Sequence, residues 1–208
     1  MKPRHPILWK SRARPPELRT PALRAMLNSF LKTLGSAQSA VTLLLTDDVG
    51  IQALNREHRG LDRATDILSW SYLPPGWVLD TPRSRSAPVA HLGELALSVE
   101  TAARQAHDNG WDLLTESARL LAHGCAHLAG LDHKTPAEER QMLAVELRLL
   151  DAAGFPGLYP GTGNPHRARK RVRKASPAAN PSRKPNPKTP RRIPDRPPRR
   201  NGTPPGSS

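Results

Sequence analysis

His123-Gly-Cys-Ala-His127-Leu-Ala-Gly130-Leu-Asp132-His133 is the stretch around which the rest of the chain can be organised. His123 and His127 are four apart, so a helix puts them on one face, one turn above the other. Gly130 follows as a helix stop, because glycine takes the left-handed conformation of a C-terminal cap. A turn there brings His133 back toward the helical pair. Three neutral imidazoles then converge, with no fourth protein ligand in the motif. Three ligands and an open position make a catalytic zinc site, whereas structural sites are closed by four. The alternative is three hydrogen-bonded histidines without a metal, each of which must find its own partner by chance.

The stretch is also informative for what it lacks. A metalloprotease helix reads H-E-x-x-H, with the glutamate as general base. Here Gly124 follows His123. That favours a hydrolytic metal centre with another base or another substrate. Cys125 lies between the two helical histidines, but two residues on a helix is about 200° round, on the far face. A small buried thiol is the expected role.

Outward from this stretch, charge divides the 208 residues in two. Residues 161–208 hold 14 Lys and Arg against one acid, Asp195, while residues 1–160 hold 18 against 17. The tail also has 11 of the 23 prolines and only Val172 and Ile193 as large aliphatics. It cannot bury enough apolar surface to offset its ordering entropy and reads as disordered. A basic, proline-rich arm suits a polyanion, and counterion release makes nucleic acid its natural partner. A solvated tail without a dedicated partner is the plainer alternative. One cysteine allows no disulfide within the chain, which fits a reducing compartment. The N-terminus has no apolar run of signal-peptide length. Nothing approaches the roughly 20 apolar residues of a membrane span. A cytoplasmic protein is expected.

In chain order, Ile7–Trp9 suggests an edge strand. Thr20-Pro21 opens a helix with threonine at the cap and proline at the first position. Leu23, Met26, Leu27, Phe30, Leu31 and Leu34 recur at three and four before Gly35. Val41–Leu45 reads as a buried strand. Asp47 or Asp48 caps a helix to about Arg56, and Ile67–Trp70 is a strand. Residues 73–90, with Pro74, Pro75, Pro82 and Pro88, form a long loop, which in a compact domain is usually functional or mobile. Leu92–Val99 alternates as a strand. Thr101–Asn109 is a helix, Asp112 starts the histidine helix, and Thr135-Pro136 opens the last. The order β-α-β-α-β-β-α-α-α predicts one α/β (α+β) domain, a small mixed sheet packed by helices, over residues 1–160. The basic tail is 161–208.

The motif is similar to the signature of the YbeY family of bacterial single-strand-specific endoribonucleases. Leu54-Asn55-x-x-His58-Arg59-Gly60, Thr65-Asp66-Ile67-Leu68-Ser69, Leu92-Gly93-Glu94-Leu95 and Ala102-x-x-Gln105-Ala106 resemble its other blocks, in the right order. Met142, Glu146, Leu149-Leu150 and Gly154 resemble its closing helix. The resemblance covers about residues 40–155. It implies one zinc ion per chain on His123, His127 and His133, and Arg59 facing the same cleft and needed for RNA cleavage. It also implies action on ribosomal RNA, in 3′ end maturation of the small-subunit RNA and in ribosome quality control. The implied partners are single-stranded RNA and the small ribosomal subunit. Ala126 and Leu131 depart from the family's usual leucine and tyrosine, at packing positions beside the ligands.

Each side residue has a plainer reading. Arg59 would clamp a phosphate by a paired, charge-assisted contact, or pair at the surface with Asp62 or Glu57. Asp132 would orient a ligand imidazole, or cap the turn after Gly130. Thr65, Asp66 and Ser69 would line the cleft, or serve the turn before a strand. Trp70, Tyr72 and Trp77 would stack on unpaired bases, or pack. The basic tail from Arg167 to Arg200 would add RNA affinity. His58, His91 and His107 are isolated and suggest no chemistry. The nucleophile is left open between an activated water and the RNA 2′-hydroxyl. Two other function classes compete: a ribosome-associated RNA-binding factor with a structural zinc, and a metallopeptidase.

Overall fold

A computed structural model describes residues 5–11, 14–74, 76–79 and 90–158. The expected tail, 161–208, and most of the expected long loop lie outside the described residues. The chain enters through β1 (Ile7–Trp9), a single 3-10 turn at Pro16–Leu18, and α1 (Thr20–Thr33). α1 buries Leu23, Met26, Leu27, Phe30 and Leu31, a stripe at helical spacing. Thr20 is not its cap. The Arg19 carbonyl takes the first helical bond, from Leu23, so Thr20 is already inside the helix and no side chain caps that end.

β2 (Ala40–Thr46) leads into α2 (Asp48–Arg59), where Asp47 accepts the Gly50 N–H at 2.8 Å. α2 runs three residues past its expected end. It stops only where Gly60 turns left-handed, at φ 67°. β3 (Ile67–Ser71) and β4 (His91–Ser98) follow. β4 has the expected length but lies one residue earlier: it starts at His91 and ends at Ser98, where the Ser98 hydroxyl accepts the Thr101 N–H and caps α3 (Val99–Asn109). Val99 therefore opens a helix instead of closing a strand. α4 (Leu113–Leu128) is capped by Asp112, and α5 (Pro136–Ala152) by a reciprocal Thr135–Glu138 box.

The four strands are ordered β1-β2-β4-β3, parallel except for β3, which runs antiparallel to β4. The fold is thus mixed α/β, with β1 at one edge as expected. The sheet has two unequal faces. On one, Leu43, Leu45, Leu95 and Leu97 meet α1, α4 and α5 residues in the main core. On the other, Leu68 and Ala96 meet only Ile51, with Leu44, Leu54 and Trp70 at the margin, so α2 covers part of it. α3 and α4 share a buried polar link. The Arg119 guanidinium donates to both Glu116 carboxylate oxygens, at 3.1 and 2.5 Å, and to Gln105 Oε1 at 3.1 Å. Gln105 Nε2 donates in turn to Asp66 at 3.1 Å, at the start of β3. A buried charge is tolerated here because its partner uses both oxygens.

Candidate metal centre

α4 presents three kinds of residue in its last two turns. Leu121, Cys125 and Leu128 go into the main core. Gly124 lies against the sheet: a side chain there would put its first carbon 2.7 Å from Leu95 and 2.9 Å from Ile67. His123 and His127 are partly buried on the helix. The H-E-x-x-H glutamate position is therefore a packing position in this chain, filled by β3 and β4. Burial pushes the Cys125 thiol up to about 12, so it is a neutral core group at physiological pH.

After Leu128 the chain turns at Gly130, φ 87°, where any Cβ would lie 2.1 Å from the Trp77 carbonyl oxygen. Glycine is required there both for its backbone angle and for that close approach. The turn returns His133 to the helical pair. Ring centroids are 4.7 Å apart for His123 and His127, 5.2 Å for His127 and His133, and 5.6 Å for His123 and His133. One nitrogen from each ring lies within 4.8 Å of the other two. Tetrahedral coordination at 2.0–2.1 Å needs about 3.3 Å between nitrogens, so small side-chain adjustments close the gap.

Two rings are held in a defined state. His123 Nδ1 is 2.7 Å from Glu146 Oε1, and His127 Nδ1 is 3.0 Å from the Leu131 carbonyl oxygen. A carbonyl and a carboxylate oxygen accept, so both Nδ1 atoms carry the hydrogen, and in the neutral ring the lone pair is then on Nε2. Burial, and next the neighbouring His123, hold the His127 imidazole down to about 4. It is neutral at physiological pH, the form that binds a cation. The donor set fits a divalent metal ion.

A family profile described as "Endoribonuclease YbeY" matches residues 12–154, a span that contains all three histidines. Curated proteins of that name are similar to this chain. One from Anaeromyxobacter sp. (strain Fw109-5) is 41% identical over 147 residues, 70% of this chain and 71% of its own length. One from Deinococcus radiodurans is 42% identical over 123 residues, 59% and 74% of the two chains. One from Thermus thermophilus is 38% identical over 137 residues, 66% and 93%. The chain belongs to the endoribonuclease YbeY family.

Within this YbeY chain the other candidates are placed unequally. Arg59 is the last residue of α2 and is exposed. Asp62, one of its alternative partners, is engaged by Arg56 at 3.4 Å and Gln52 at 3.0 Å. Asp132 accepts the His133 N–H at 2.8 Å and pairs with Lys134 at 2.7 Å. The Lys134 hydrogen bond and then the His133 N–H hold its carboxyl below the usual range. Asp132 thus shapes the turn that presents His133. Asp66 accepts the Ile67 N–H and the Thr65 hydroxyl, which is turn chemistry. Trp70 receives the edge of His58 at 5.1 Å and packs on the α2 side. Tyr72 is exposed, 5.4 Å from His91.

Sequence reasoning assigned no role to Glu146, Glu116 or Arg119. Glu146 had one available signal: a charged residue at helical spacing between Met142 and Leu149-Leu150, on the otherwise apolar stripe of the helix. Among the described residues, no helix is long and apolar enough to cross a membrane.

Proposed function

We propose that this YbeY-family chain is a zinc-dependent, single-strand-specific endoribonuclease. It acts in the cytoplasm on ribosomal RNA, in 3′ end maturation of the small-subunit RNA and in ribosome quality control. The observation that carries the reading is the convergence of three imidazoles, two of them fixed with Nδ1–H outward, in a family named for endoribonuclease activity. His123, His127 and His133 hold one zinc ion per chain. Bound there, zinc supplies a Lewis acid for the phosphoryl group of RNA. The turn made by Gly130 and Asp132 keeps His133 at the mouth of the site. Arg59 binds the scissile phosphate as a paired, charge-assisted contact.

A peptidase reading has no support, because the position of its base is occupied by Leu95 and Ile67. A factor with a purely structural zinc is also disfavoured, since His133 is exposed and the three-histidine set stops short of closing the site. The test is cleavage of a short single-stranded RNA by wild type, His127→Ala and Arg59→Glu, with metal content read on the same samples. Equal cleavage by all three overturns the reading.

The segment from Arg167 to Arg200 adds RNA affinity without sequence choice. Removing residues 161–208 weakens binding and flattens its dependence on salt, while the cleavage pattern stays the same. An unchanged salt slope would sink this role.

A further inference from the structure

His127 is anchored within its own turn, by the carbonyl four residues on. His123 sits one helical turn earlier, so another element supplies its partner. α5 does so. Met142 packs with Ala126 and Leu131, and one turn further along the same helix Glu146 reaches His123. Glu146 is only 7% exposed, on the side of α5 whose other buried residues are Met142, Leu149 and Leu150. An aliphatic residue would fill that seam without the desolvation cost of a carboxylate. The carboxylate stands where the ring of His123 arrives, and together with His133 and Glu139 these residues line one small recess.

We propose that Glu146 is a positioning residue of the metal centre: its carboxylate holds His123 in the Nδ1–H tautomer, turns Nε2 to the site and strengthens that nitrogen as a donor. The proposal rests on the metal reading of the three histidines. The two helical ligands are then unequal. His123 is backed by a carboxylate and His127 by a neutral carbonyl, so the outer contact polarises the His123 ring more strongly. The same contact ties α5 to the α4 turn that carries the site, so docking of the last helix and assembly of the centre are one event.

The test uses the full chain and two variants. Glu146→Gln keeps an acceptor oxygen and removes the charge; Glu146→Leu removes both. The first readout needs no metal: nitrogen-15 shifts of the histidine rings in chelator-treated protein at pH 8. His123 should read as Nδ1–H in wild type and Glu146→Gln, and shift toward Nε2–H in Glu146→Leu. The second readout is zinc affinity by competition with a chromophoric chelator. Glu146→Leu should bind about 10–100-fold more weakly, with Glu146→Gln between it and wild type. An Nδ1–H ring in Glu146→Leu, with affinity within about twofold of wild type, overturns the proposal. If Glu146→Leu does not fold, Glu146→Gln decides: zinc affinity equal to wild type overturns the role of the charge. Wild type that takes up no zinc, nickel or copper overturns the metal reading instead, whatever the tautomer shows.

Discussion

Two regions of the molecule bury imidazoles and use them differently. His5 sits at the junction of β1, α1 and β2, fully buried. Its Nδ1 accepts the Val41 N–H at 3.2 Å, so its Nε2 carries the hydrogen and donates to Asn28 Oδ1 at 3.2 Å. Both nitrogens are spent on protein, and the ring is a cross-brace. His123 and His127 hold the opposite tautomer, with Nδ1–H given to Glu146 and to the Leu131 carbonyl. One nitrogen of each ring also comes within 4.8 Å of the other and of His133. Burial does not separate a structural histidine from a ligand. Which nitrogen is used, and whether several rings converge, does.

The strongest way to break this contrast is to remove one ring from each region. His127→Ala should lose bound zinc and cut RNA at least about 100-fold more slowly, since loss of outer contacts alone costs 10–100-fold. His5→Ala should keep about one zinc per chain and wild-type cleavage. It should pay in stability instead: the Val41 N–H and Asn28 lose their partner, at about 1–3 kcal/mol for a buried unsatisfied group. Urea denaturation beside metal analysis reads both. Zinc lost from His5→Ala, or retained by His127→Ala, would erase the distinction.

Arg59→Glu sharpens the comparison from outside the cluster. Arg59 closes α2, is exposed and is not one of the three clustered ligands, so reversing its charge should leave zinc content and melting temperature unchanged. Cleavage should fall by about 10–100-fold, the scale of losing a charge-assisted phosphate contact worth about 1.5–3 kcal/mol. Rates measured on metal-quantified samples test this, and a rate within about twofold of wild type removes Arg59 from the chemistry.

What was legible in advance follows from range along the chain. The order of elements was readable because its signals are local. Gly35 and Gly110 end helices, Asp47 and Asp112 begin them, and Thr135-Pro136 opens the last. The three histidines were readable for the same reason, since one helical turn and one glycine bring them together. Boundaries were lost where two local rules competed. Ser98 alternates as strand yet caps α3, and the residues after Arg56 looked irregular until Gly60 set the true end of α2. The roles of Glu146 and of the Arg119–Glu116 pair were passed over, because a glutamate on a helix is usually solvated. Only the packing of α5 on α4, and of α3 on α4, turns these charges inward.

The smallest expected effect concerns pH and tests the His5 brace alone. Burial is the main cause holding the His5 imidazole below its ordinary value; the Asn28 hydrogen bond opposes it, and nearby Arg24 adds to it. A depressed histidine binds its proton more readily in the unfolded chain. Its stabilising contribution is thus complete above about pH 6.5 and is lost as pH falls from there toward the lower folded value. Protonation would also place a second hydrogen on Nδ1, facing the Val41 N–H. The stability difference between wild type and His5→Ala should therefore narrow as pH falls below about 6.5, by less than the whole cost of the substitution. The His127 ring, held to about 4, titrates in the same direction in metal-free protein. Comparing the two chains in chelator cancels that shared contribution, because the two rings have different hydrogen-bond partners. A difference that stays constant from pH 8 to pH 5 would mean that His5 keeps its contacts when charged, and the brace would then rest on shape instead of on the two hydrogen bonds.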